Sequence, residues 1–360
     1  MSCVGGGSRF EMKNFRVLIL LAVFAVTPIF ASVWSPPGSL DLRKLWREAD
    51  VVIMGTVIRV DYAGQAKEDY YGRSVSMKQF QALISVQRWY KGAKPNSELN
   101  VQIRHFADEG LCGVGPCQSL SIGDHKLLFL NSSGSIFRLT TEVDSSLEVS
   151  DRVSSFQTNG DIEALTSDLI AGLSDSNRSR VIDNITLLGA LRDKSASSAL
   201  KSFLISSDLE ERGWTYLSFL RISDISLLSD IYQFAKMPSS DPHISMIQQL
   251  LSTEVATIRD PAAEPTLEEM VTAKSSRLRF SAFYALRKIQ DPTTLPVFIR
   301  GLDDADQNVR YTALMGLAET EGREGDWAPS IDLFQKAESK YILLWKDWWQ
   351  SEVGQRAAHP

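Results

Sequence analysis

Cysteine and histidine are scarce, three and four among 360 residues, which leaves little material for thiol or soft-metal chemistry. The chain has no G-x-S-x-G elbow, no H-E-x-x-H pair and no G-x-x-x-x-G-K-[ST] loop. The common signatures of acyl transfer, zinc-dependent hydrolysis and nucleotide binding are therefore missing. Asp303, Asp304 and Asp306 lack the D-x-D-x-D-G order and distal glutamate of a calcium loop, so they are expected to form a solvated turn. No catalytic constellation, metal site or cofactor site is expected. An excess of basic residues is missing as well. Lys and Arg number 38 against 44 Asp and Glu, a formal net charge of −6, which is not the electrostatic footprint of a nucleic-acid binder.

Long apolar runs are absent with one exception. Val17 to Val26 follows Lys13 and Arg16, has the length of a signal-peptide core, and is broken by Thr27-Pro28 before the small Ala31. Residues 1–31 are expected to be a signal peptide that starts at Met1 or Met12. The run is short for a membrane span, and an uncleaved anchor is the alternative. Export to the outside, the periplasm or the cell envelope follows, with no membrane association unless the segment stays attached. Processing leaves Cys112 and Cys117 in the run Leu111-Cys112-Gly113-Val114-Gly115-Pro116-Cys117. In an oxidising compartment this pair is expected to form a disulfide. Zinc held with His105 and His125, and a reactive thiol pair, stay open as alternatives. Asn131, Asn177 and Asn184 head glycosylation sequons.

What the chain does have is a repeat. Leu278, Ala282, Ala285 and Leu286 fall on one helix face, and Val309, Ala313, Gly316 and Leu317 repeat that face about 31 residues later. Asp291-Pro292 stops one helix and Thr293-Thr294 starts the next. Fainter copies of the pattern begin near Ser179, Gly213 and Pro242, giving five second helices at near-constant spacing. Val255 to Thr266, with Asp260-Pro261 and Glu264-Pro265, is expected to interrupt the array as a loop. The pattern Asp306-Gln307-Asn308-Val309-Arg310-Tyr311-Thr312-Ala313-Leu314 resembles the HEAT-repeat family, in particular its short, phycobilisome-lyase-like form. The resemblance implies an α-α solenoid that binds protein partners, with Arg279 and Arg310 bracing turns or meeting a ligand. Some relatives of that form act as lyases on chromophores, which makes an enzyme or lyase-associated role an alternative.

The amino-terminal half has a different period. Leu40 to Ala49 is a short amphipathic helix. Val51 to Val60, Phe80 to Trp89, Leu99 to Ile103, Leu127 to Leu130 and Ile136 to Leu139 have the β-branched or alternating pattern of strands. Five strands after a short helix suggest a small, nearly closed antiparallel barrel. Glu48-Ala49-Asp50-Val51-Val52-Ile53-Met54-Gly55-Thr56-Val57, the later Trp89-Tyr90-Lys91-Gly92, and Gly123 ahead of Leu127-Leu128-Phe129-Leu130 resemble the OB-type barrel of netrin-like domains, the group that includes tissue inhibitors of metalloproteinases. That resemblance implies a protease-inhibitor alternative. The inhibitors coordinate the protease metal through an amino-terminal cysteine, whereas this mature chain would begin near Ser32-Val33-Trp34.

The fold class expected is thus α+β multidomain. A signal peptide (1–31) precedes an OB-like barrel (32–150), a HEAT-like α-solenoid (151–325) and a capping helix with a disordered tail (326–360). Trp345, Trp348 and Trp349 on one helix face serve either as the end cap or as an aromatic binding patch. Arg279, Arg310, Tyr311, Trp345, Trp348 and Trp349 are the candidate partner-binding residues. The function expected is that of an exported, non-enzymatic binding or scaffold protein with a protein partner.

Overall fold

Asp41 opens the described part of the chain by capping helix α1 (Leu42–Glu48), its carboxylate accepting from the Lys44 amide at 2.9 Å. Lys91 closes the same helix, its Nζ donating to the carbonyls of Trp46 at 2.6 Å and Ala49 at 2.5 Å, where a cation complements the helix dipole. The computed structural model describes residues 40–70, 73–92, 97–107, 120–134, 136–141, 145–155 and 161–358. The expected signal segment and the Cys112–Cys117 pair lie outside these residues.

Six strands follow α1: β1 (Val51–Tyr70), β2 (Arg73–Lys91), β3 (Glu98–Phe106), β4 (His125–Ser133), β5 (Ile136–Leu139) and β6 (Ser146–Glu148). β1 pairs antiparallel with β2 and with β4, β2 with β3, and β4 with β5, while β3 and β5 run parallel, Val101 opposite Phe137. The pairings thus pass through five strands and return to β1. This corrects the wholly antiparallel expectation, for a reason of parity. A ring with an odd number of strands cannot alternate direction throughout, so one neighbouring pair must be parallel. β6 is a further strand, pairing Leu147 with Leu127 on β4, in a stretch expected to be only a junction.

Burial explains why Val51–Met54 on β1 and Leu127–Leu130 on β4 are continuously apolar rather than alternating. Val51, Ile53, Val57, Leu128 and Leu130 join Ala82, Ile84, Leu99 and Val101 in a core between strands. Val52, Met54, Leu127 and Phe129 point the other way, into a second core with Leu165, Ile185 and Leu188 of the helices. Strands covered on both faces have no polar side to show.

The helical region opens with α2 (Ile162–Gly172). Five long helices then recur: α3 (Arg178–Ala190), α5 (Leu209–Arg221), α7 (Pro242–Glu254), α9 (Ser276–Ile289) and α11 (Gln307–Thr320). Shorter ones lie between them: α4 (Ser197–Leu200), α6 (Leu228–Lys236), α8 (Glu264–Met270) and α10 (Leu295–Gly301). Each long helix has an oxygen-bearing N-cap: Asn177, Asp208, Asp241, Ser275 and Asp306. The turns between long and short helices repeat a second cap, Asp193, Asp224, Asp260 and Asp291, each accepting a backbone N–H two residues on. A cap of this kind contributes about 1 kcal/mol and fixes where each helix begins. The Val255 to Thr266 stretch is corrected accordingly. Asp260 caps a short turn and Pro265 sits in the first turn of α8, where a missing N–H costs nothing, so these prolines start a helix instead of breaking the array.

Small residues set the approach of neighbouring helices. A Cβ on Gly189 would stand 2.7 Å from the Ser218 Cα, and one on Gly316 would stand 2.3 Å from the Phe298 ring. The array ends in α12 (Ile331–Lys336) and α13 (Glu338–Ala358), so the helix continues past Gly354 where a disordered tail is expected. Among the described residues no helix is long and apolar enough to cross a membrane.

The hydrophobic core does not stop at the expected boundary near residue 150. Residues of α1 and the strands share one cluster with residues of α2, α3 and α5. A polar link runs beside it. Asp168 on α2, 2 % exposed at its side chain, accepts from the Tyr90 hydroxyl, the Ser154 amide and the Ser154 hydroxyl, each at 2.7 Å, with Arg88 Nε at 3.4 Å. Burial and then the Asp168 carboxylate push the Tyr90 phenol well above its usual range. Asp183 on α3 is also displaced. Burial, then the nearby Glu148 carboxylate, raise it to about 6, opposed by Lys126.

Two outcomes test this junction. Asp168→Ala leaves Tyr90 with only the Met54 sulfur, strands the Ser154 amide and hydroxyl, and takes from Arg88 its carboxylate while Arg88 keeps its bond to the Ser154 carbonyl. It should lower unfolding free energy by about 3–5 kcal/mol in urea titrations; a loss under about 1 kcal/mol would show that the link is not structural. Because native Asp183 holds its proton more tightly than the unfolded chain does, its contribution falls as pH rises from about 4 to 6 and the cost is complete above that. Asp183→Asn should therefore stabilise the protein at pH 7, by about 1 kcal/mol after solvent screening, and have no such effect at pH 3.5.

Candidate functional site

Arg279 and Arg310 occupy the same position on α9 and α11, and both are engaged within the array. Arg279 forms a bidentate pair with Asp304, Nε to Oδ2 at 2.6 Å and Nη2 to Oδ1 at 2.8 Å, and its Nη1 donates to the carbonyls of Ala273 at 2.9 Å and Lys274 at 3.0 Å. Arg310 donates to the carbonyls of Asp304 at 2.6 Å and Ala305 at 2.9 Å and pairs with Glu338. Each guanidinium stitches the turn before its own helix to the following repeat. Planar forks suit this work because they meet a carboxylate and a carbonyl pair together.

The tryptophans close the end of the array. Trp345 is 0 % exposed, out of reach of any partner, and its Nε1 donates to the Trp327 carbonyl at 3.0 Å. Trp327 and Trp348 meet it edge to face at 4.9 and 5.1 Å, and the Arg323 guanidinium stacks over Trp327 at 4.4 Å and Trp348 at 5.0 Å. Trp348 and Trp349 are half-buried against the same core. Tyr311 leans toward this cap, its hydroxyl donating to the Pro329 carbonyl at 3.2 Å and its ring 5.3 Å from Phe334. Two of the sequons are spent on structure as well. Asn177 caps α3, and Asn184, 1 % exposed, donates to the Arg180 carbonyl and packs on Gly172.

The surface that stays open lies one position beyond the arginines. Phe280 and Tyr284 on α9 are half-buried, as are Tyr311 and Met315 on α11 at the same register. On α7 the corresponding pair is Met246, 45 % exposed, and Leu250. Three neighbouring helices thus present a row of large apolar side chains with one turn between members. Phe280 and Tyr284 stack with centroids 6.3 Å apart. Arg259, Arg287 and Lys288 place their charges 5.8, 5.9 and 5.7 Å from the Tyr284 ring centre. Arg287 and Lys288 also pair with Glu319, Lys288 Nζ at 3.4 Å, and the Arg287 contact holds that carboxyl below its usual range. Of this row only Tyr311 is among the residues expected from the sequence to bind a partner. Phe280 and Tyr284 share its register, one and five positions past the repeated arginine, and that offset was the available signal.

A second set of ionisable groups sits at the strand–helix junction. His125 donates or accepts through Nδ1 with the Thr56 hydroxyl at 3.0 Å, while its buried Nε2 has no hydrogen-bond partner among the described residues, and burial pushes the imidazole below its usual range. Lys126 pairs with Glu148 and, at 3.6 Å, with Asp124. His125 and Lys126 are both buried. Among the described residues no group of His, Cys, Asp and Glu is arranged to hold a metal ion.

Comparison with known proteins bears on the helical half. The sequence profile described as HEAT repeats matches residues 237–318, the stretch that carries α7 to α11. No curated protein matches the chain. Among solved structures, the chain is similar to an engineered protein from a structural genomics consortium at 16 % identity, covering 49 % of this chain and 86 % of that one with a TM-score of 0.32. It is similar to the complex of CpcE and CpcF of phycocyanin lyase from Nostoc at 17 % identity, covering 41 % and 95 % with a TM-score of 0.30. A designed armadillo repeat protein matches at 14 % identity over 51 % and 91 %, with a TM-score of 0.32. Likenesses at this level carry no functional weight, and the netrin-like resemblance of the strand region gains no support from them. The exposed row and the HEAT-repeats match therefore fall on the same segment of the chain.

Proposed function

We propose that this protein is an exported, non-enzymatic binding protein that engages a protein partner through the row on α7, α9 and α11. One observation carries the reading. Met246, Leu250, Phe280, Tyr284 and Met315 keep part of their apolar surface in water at equivalent positions of successive repeats, while the array satisfies its own arginines and caps its own end. Repeat arrays expose such rows as extended partner-binding surfaces, and aromatic side chains with methionine are the residues that supply most of the affinity there. The cyclic pairing of β1, β2, β3, β5 and β4, with its one parallel pair, supports reading the strand region as an OB-type barrel. Its shared core with α2 and α3 makes it the base on which the array is mounted.

The test is site-specific photo-crosslinking in the exporting cell. A photoreactive residue at Tyr284 or Met315 should yield a discrete adduct with another protein, while one at exposed Arg300 on α10 should not. Tyr284→Ala with Met315→Ala should weaken capture at least ~10-fold without moving the melting temperature by more than a few degrees. Adducts of equal yield from Arg300, or none from the row, would sink the reading.

A further inference from the structure

Resting on that reading, we infer that the partner presents an acidic segment, whose carboxylates lie over Tyr284 between Arg259 and Lys288 while apolar neighbours fill the row. Three cations converge on one half-buried ring, yet the only carboxylate within pairing distance of any of them among the described residues is Glu319. Glu319 is shared by Arg287 and Lys288. Arg259 has no carboxylate partner there. Its Nη1 donates to the carbonyls of Ala256 at 2.7 Å and Ile258 at 2.6 Å, which hold the side chain in place at the end of α7 without neutralising it.

The cluster is a local excess of positive charge in a protein whose formal net charge is −6. Exposed cations over an aromatic face are favourable on their own by a small margin and gain most when an anion completes the set. The long-range field of an acidic protein repels an acidic ligand, so a local positive site is what selects where such a ligand docks. The apolar members on either side, Phe280 and Met315, then demand a segment that alternates acidic with large apolar side chains. A basic segment finds no equivalent in the row, since Glu319 is already held by two cations.

Fluorescence anisotropy on the full chain tests this with two labelled peptides, one alternating glutamate with phenylalanine and one alternating lysine with phenylalanine. The acidic peptide should bind at least ~10-fold more tightly, and its affinity should fall as salt is raised. Arg259→Glu with Lys288→Glu should remove that preference, and the milder Arg259→Gln with Lys288→Gln should reduce it in the same direction, both with melting temperatures close to that of the parent. Equal binding of the two peptides, binding of neither, or a preference untouched by the substitutions would overturn the inference. The crosslinking assay separates this failure from that of the binding reading. If the charge-reversed protein still forms the Tyr284 adduct in full, the acidic-partner inference fails and the binding reading stands; no adduct from the parent protein fails both.

Discussion

Burying a carboxylate costs several kcal/mol unless it is fully partnered, and Asp168 meets that condition only when two distant parts of the chain come together. Its partners are a strand tyrosine, Tyr90, a strand arginine, Arg88, and the main chain and hydroxyl of Ser154. None of these can leave without stranding a buried charge. The link lies beside a core in which Met54 and Phe129 of the strands pack with Leu165 and Ile185 of the helices. Strand region and helical array are consequently parts of one compact unit that begins at Leu40. The first repeats are held by the strands, and the later ones are free to offer a surface.

From that base the array propagates by local rules. An oxygen-bearing cap starts every long helix, an aspartate starts the short turn after each of the first four, and glycines at Gly189 and Gly316 let side chains of the next helix sit against backbone. On α9 and α11, arginines tie the preceding turn to the following repeat through carboxylates, Arg279 with Asp304 and Arg310 with Glu338. Interactions confined to neighbours make stability roughly additive along such an array. They also leave Met246, Leu250, Phe280, Tyr284 and Met315 with part of their apolar surface in water, which is where the candidate interface lies. At the far end the array stops because Trp327, Trp345 and Trp348 fill what would otherwise be an open apolar face, and Arg323 covers them.

The period, the helix faces and the places of five of the six strands are legible in the sequence, but not β6, the continuation of β1 to Tyr70 or the start of β2 at Arg73. The recurrence of Leu278, Ala282 and Leu286 as Val309, Ala313 and Leu317 is a statement about helix spacing, and helices did form with these residues buried. Starts expected near Ser179, Pro242 and Arg277 fall within a residue of α3, α7 and α9, whereas α5 begins at Leu209, ahead of the expected Gly213, and α11 at Gln307, ahead of Val309. Such features are local, set by side-chain pattern and capping within a few residues. Whatever depends on contact across long separations was settled by packing. The parallel pairing of β5 with β3 follows from closing an odd number of strands, and no residue of β5 announces it. The continuous apolar runs of β1 and β4 have meaning only once helices cover their outer face. Arg259 reaches Tyr284 from 25 positions away because the turn after α7 lies against α9. Arg279 and Arg310, alike in sequence to any exposed ligand-binding arginine, are occupied because the next repeat brings Asp304 and Glu338 to them. Spacing along the chain can name a helix face, but only packing determines which side chains on that face remain open to a partner.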